Sequence, residues 1–87
     1  MELSHVLKQK RIKSKLSQMQ VAEKLGYKSP QFVSNWERGL SHPPVSSLRN
    51  IAKLYHTSSA ELFELFVQAT LVQVEQELRS RFKTRIV

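Results

Sequence analysis

Gln31 and Asn35 stand four residues apart in the stretch YKSPQFVSNWERG, and each side chain offers one acceptor oxygen and two N–H donors. At helical spacing they share one face. Amides of this kind pair bidentately with the N6 and N7 edge of adenine, so their shared face is equipped to read bases in a major groove. Val33 and Trp36, three residues apart, fall on the opposite face and must pack against neighbouring elements. A single exposed Gln or Asn is an ordinary surface residue. Two on one face, opposite an apolar pair and inside a basic chain, point to a reading surface.

Other chemistries find no constellation. His5, His42 and His56 are far apart and lack metal-ligand spacing. Glu61 with Glu64, and Glu75 with Glu77, read as the solvated face of a helix rather than as catalytic carboxylates. The two glycines fall at helix ends, which leaves no phosphate-cradling loop. With no cysteine there is no disulfide, thiolate nucleophile or thiolate zinc site. The expectation is no enzyme, no catalytic residue, no metal and no cofactor.

The elements that position the amides follow from punctuation and period. Glu2 to Lys13 carries Leu3, Val6, Leu7 and Ile12 near a 3.6-residue repeat, an amphipathic helix. Ser17 caps a second helix from Gln18 to Leu25, with Val21, Ala22 and Leu25 inward and Gly26 as its stop. Ser29 is the expected cap of a third, with Pro30 at its first position, where a missing N–H costs nothing. That helix should close at Gly39. LSHPP is a loop, and Val45 to Tyr55 forms a fourth helix with Val45, Leu48, Ile51, Ala52, Leu54 and Tyr55 inward. Ser58 with Glu61 is a capping box opening a fifth, which runs toward Phe82 without glycine or proline.

Charge is polarised along this chain. Fourteen Lys and Arg against seven Asp and Glu give +7 over 87 residues, which favours a polyanionic partner. Lys8, Lys10, Arg11, Lys13 and Lys15 crowd one segment, whereas Leu54 to Leu78 holds four glutamates and no Lys or Arg. No apolar signal core or membrane-length run is present, so the expectation is a soluble protein acting in the cytoplasm, associated with the nucleoid.

Two short helices joined by a tight glycine turn form a helix-turn-helix, whose second helix enters the major groove. From Leu7 to Leu62 the chain resembles the Cro and phage-repressor family, the lambda-repressor-like fold. The resemblance rests on LSQ opening the second helix, VAEKLG ending it, WERG ending the third, and PP followed by LRNIAKLY. It implies an all-α, five-helix domain that binds operator DNA, usually as a dimer. It also implies roles: Gln18 on the phosphate backbone, Gln31 and Asn35 on bases, Phe32 either on a thymine methyl or in the core, and Arg38 and Ser41 on phosphates. Lys28, Ser29 and Ser34 complete the expected DNA-facing set, and Arg11 with Glu37 matches a structural pair between the first and third helices. Three departures are visible. The turn before Ser29 is one residue longer than usual and brings Lys28 forward, Pro30 replaces a polar reader, and Lys15 stands where glycine is common.

The last helix has more apolar surface than a small domain can cover. Phe63, Val67, Leu71, Val74, Leu78 and Phe82 recur every three or four residues, beside a second stripe of Leu62, Phe66 and Ala69. The expectation is a DNA-binding domain over residues 1–62 and a helical dimerisation extension over 63–87. The functional expectation is a transcriptional regulator, a repressor, that binds a pseudo-palindromic operator as a homodimer. The alternative is an antitoxin-type or adaptor protein whose last helix binds another protein.

Overall fold

The computed structural model describes residues 2–85, so the outer ends of the two expected segments, residue 1 and residues 86–87, lie outside it. The chain folds as α1 (Leu3–Lys13), α2 (Gln18–Lys24), α3 (Gln31–Glu37), a 3-10 turn (Val45–Ser47), α4 (Leu48–Leu54) and α5 (Ser59–Arg85), with no strand among the described residues. Every helix contributes to one core. Leu3 and Leu7 come from α1, Val21 and Ala22 from α2, Val33 and Trp36 from α3, Leu48, Ile51 and Ala52 from α4, and Leu62 from α5; Tyr55 joins them. Each fully buried aliphatic side chain among them contributes roughly 1.5–3 kcal/mol.

The helix starts show how closely local chemistry was obeyed. At α2 the box is complete: the Ser17 hydroxyl accepts from the Gln20 amide, and the Gln20 side chain accepts from the Ser17 amide. At α5 the Ser58 hydroxyl accepts from Glu61 N–H at 3.3 Å, the first half of the expected box. At α3 the expectation shifts by one residue. Pro30 itself occupies the cap and its carbonyl accepts from Ser34, while the Ser29 hydroxyl reaches the Gln31 N–H at a long 3.4 Å. Val45 also departs, being 56% exposed in the 3-10 turn, so that α4 begins at Leu48. The preceding Pro43 and Pro44 hold the chain extended and delay the helix. Ile12 likewise faces solvent.

The first four helices end alike. In each, the residue two beyond the cap donates to the carbonyl five positions back: Leu16 to Arg11, Tyr27 to Ala22, Leu40 to Asn35 and Thr57 to Ala52. This double closure needs a left-handed residue just past the cap. Gly26 and Gly39 supply it freely at φ 90° and 74°, whereas Lys15 and His56 adopt it at 58° and 52° against a Cβ penalty.

Helix α5 has two lives. Leu62, Leu65, Phe66 and Ala69 pack on the core, so the expected division after residue 62 falls within a continuous, core-packed helix. From Leu71 to Thr84 every residue is exposed, and the helix projects as a free rod. The molecule is accordingly elongated, 49 × 27 × 20 Å.

Candidate nucleic-acid interface

Helix α3 is held from behind and presented in front. Val33 and Trp36, 1% and 4% exposed, lock it against α1 and α2. Gln31 and Phe32 face solvent, and Ser34 and Asn35 are half-buried beside them. Phe32 is not a core residue: it is 52% exposed and leans on Tyr27, with ring centroids 4.9 Å apart, while Tyr27 meets Trp36 edge-on. A cluster of tilted and edge-on rings therefore lies beside the amides. Its rigidity favours apolar contact with a base methyl.

The amides are not independent. Asn35 Oδ1 accepts from Gln31 Nε2 at 2.9 Å and from Arg38 Nη2 at 2.8 Å. An arginine only donates, so the atom facing it must be the Asn35 oxygen, and the Gln31 group facing that oxygen must be its NH2. Both lone pairs of Asn35 are thereby engaged. In the free chain Asn35 offers donors alone, suited to purine N7, guanine O6 or thymine O4, while Gln31 keeps an acceptor oxygen and one N–H. The two expected adenine readers thus differ in what they present, because Arg38 lies one turn on from Asn35. Spacing alone could have suggested that link, since residues three apart on a helix are neighbours.

Behind the reading face, one carboxylate joins three helices. Glu37, at the end of α3, accepts from Arg11 Nε at 2.6 Å and Nη2 at 3.0 Å, and from Gln18 Nε2 at 3.1 Å. Its side chain is 3% exposed and that of Arg11 13%. Arg11 also donates to the Leu16 carbonyl at 2.9 Å. The hydrogen bond to Glu37 raises the Arg11 pKa further, against the opposing effect of burial. Burial pushes the Tyr55 phenol above its ordinary range, and the charge of Glu37 adds to that shift. Arg11 is thus turned inward from the basic segment, and the Gln18 amide NH2 faces Glu37. Gln18 keeps its amide oxygen free of these bonds.

No side-chain hydrogen bond joins the remaining expected contacts to one another among the described residues. Lys28 and Ser29 are exposed in the turn before α3, Arg38 is exposed at its end, and Ser41 is half-buried in the following loop. Lys8, Lys13 and Lys15 are exposed on and just past α1. Among the described residues no group of three His, Asp or Glu could hold a metal, and no helix is long and apolar enough to cross a membrane.

A short α2 braced behind an outward α3, with paired amides in front and exposed Lys28 and Arg38 just before and after it, defines a DNA-binding domain of the type found in transcription regulators. The chain belongs to the helix-turn-helix family in its lambda-repressor-like form, and the helix-turn-helix model matches residues 7–62. It is similar to the HTH-type transcriptional activator BcrR of Enterococcus faecalis, with 36% identity over 83 residues, or 95% of this chain. The chain spans 39% of that relative's length. No solved structure matches the chain at a significant level.

Proposed function

We propose that the protein is a sequence-specific regulator that binds a pseudo-palindromic operator in duplex DNA as a homodimer. The observation that carries this reading is the outward amide pair on α3, opposite the buried Val33 and Trp36. In this reading Gln31, Asn35 and Phe32 meet bases, while Gln18, Lys28, Ser29, Ser34, Arg38 and Ser41 meet or flank phosphates. Phosphate contacts set register, and base contacts set sequence. The stripe Phe63, Val67, Leu71, Val74, Leu78 and Phe82, exposed except at the half-buried Val67, joins two copies, with residues up to 62 as the reading head and 63–87 as the joining segment. The site of action is the nucleoid in the cytoplasm.

Repression follows from occupancy, since a dimer seated over a promoter excludes other proteins from the same grooves. The name of the relative favours the opposite sign for that protein, activation. Selection of bound duplexes from a random pool tests the reading. The expected product is an enriched site with two-fold symmetry and half-sites ~10 bp apart. Equal recovery of all duplexes would refute specific readout. A reporter carrying the selected site over or upstream of a promoter then gives the sign.

A further inference from the structure

We infer that the two copies of α5 pack antiparallel, about a two-fold axis passing between Val72 and Gln73. This rests on the homodimer reading above and adds its register. The stripe Phe63, Val67, Leu71, Val74, Leu78 and Phe82 has the same order of spacings read from either end. Reversing one helix about the midpoint lays Phe63 on the partner's Phe82, Val67 on the partner's Leu78 and Leu71 on the partner's Val74. No apolar residue of the stripe is left over. The face is exposed at Phe63, Leu71, Val74, Leu78 and Phe82 and half-buried at Val67. At ~100° per residue the stripe lies opposite Leu62, Leu65, Phe66 and Ala69, which hold α5 to its own core.

Spacing permits the reversal; charge selects it. The N-terminal end of α5 carries Glu61 and Glu64, and no Lys or Arg stands between Leu54 and Leu78 to compensate them. The other end carries Arg79, Arg81 and Lys83. Arg79 and Arg81 bond Glu75 and Glu77 one turn back at 3.0 and 2.8 Å, but these pairs are largely exposed and weakly held. A parallel dimer would set acidic end against acidic end and basic against basic. The antiparallel one brings Glu61 and Glu64 to the partner's Arg79 and the partner's Lys83, on the same flank of the seam. Unlike charges beside an apolar seam are what fix the orientation of paired helices.

The register also bears on DNA. At ~1.5 Å per residue, the Leu62 anchors of the two heads come to lie roughly 30 Å apart along the paired rod. Successive major grooves on one face of a duplex are ~34 Å apart. The two heads are therefore joined to the rod at its opposite ends, with anchors spaced close to one turn of duplex.

Because the chain has no cysteine, introduced thiols report the register cleanly. Phe63→Cys protein is mixed with Phe82→Cys protein and oxidised, and Val67→Cys with Leu78→Cys serves as a second pair with smaller changes. Sedimentation of the unaltered chain is run beside them. A wild-type dimer with mixed cross-links exceeding like-with-like ones is the expected result. Like-with-like cross-links alone would show a parallel pair and overturn the inference while leaving the homodimer intact. A wild-type dimer with no cross-link from either pair would overturn the register as well. A wild-type monomer at every concentration would remove both the register and the homodimer reading.

Discussion

Replacing Glu37 by alanine should unfold the reading head far below the wild-type temperature, before any DNA is added. Its carboxylate is 3% exposed and takes three hydrogen bonds, two from Arg11 and one from Gln18. Truncation leaves a guanidinium that is 13% exposed facing an empty site. Breaking one partner of a buried pair costs about 3–5 kcal/mol. The lower end applies here, because Arg11 keeps its bond to the Leu16 carbonyl and its exposed edge admits water. For a domain of this size ~3 kcal/mol corresponds to a fall in Tm of roughly 12–24 °C, out of a total stability on the order of 5–15 kcal/mol. The assay is thermal unfolding by circular dichroism of wild type, Glu37→Ala, Arg11→Ala and the double variant. A coupling free energy well above ~0.5 kcal/mol is expected in the cycle. A Tm within two or three degrees of wild type, or additive single effects, would show that the three-helix junction does not hold α3 in place.

Four further outcomes follow from the same structure. Gln31→Ala and Asn35→Ala should each cost about 1–3 kcal/mol on the selected site and relax preference at one or two base pairs, measured by competition against single-base variants. Arg38→Ala should weaken binding on all sites and also shift the preference at the Asn35 position, because it releases the Asn35 oxygen as an acceptor; a purely uniform loss would show that the Arg38–Asn35 bond does not shape readout. Operator affinity should fall about 10³-fold between ~50 and ~200 mM salt if about six phosphates are contacted, and a flat salt titration would remove the phosphate contacts proposed here. His56→Gly, at an exposed left-handed position, should raise stability by about 0.5–1 kcal/mol and leave DNA affinity unchanged; a lowered Tm would show that the His56 side chain outweighs its backbone strain.

The local period and punctuation of the chain were enough to determine that it is helical and which faces of α2 and α3 turn inward. Val33, Trp36, Val21 and Ala22 are buried where a 3.6-residue repeat puts them, because a short amphipathic helix has no other way to shed apolar surface. Ser17 and the left-handed glycines marked helix ends for equally local reasons, since they satisfy backbone groups within one turn. Where local signals competed, the sequence was ambiguous. Ser29 and Pro30 both suited the start of α3, and two adjacent prolines displaced the start of α4 from Val45 to Leu48.

Three-dimensional packing decided the rest. Arg11 and Glu37 are 26 residues apart, and no periodicity reports that their side chains meet or that Gln18 joins them. Phe32 read equally well as core or surface until Tyr27 and Trp36 occupied the space behind it. The donor and acceptor pattern of the reading face depended on where the Arg38 guanidinium came to rest. Both stripes of α5 were visible in the sequence, but not which one the core would take. That choice required the positions of α1 and α4, because hydrophobic burial is proportional to area and blind to direction, so only the geometry of neighbouring helices selects the face that stays in water.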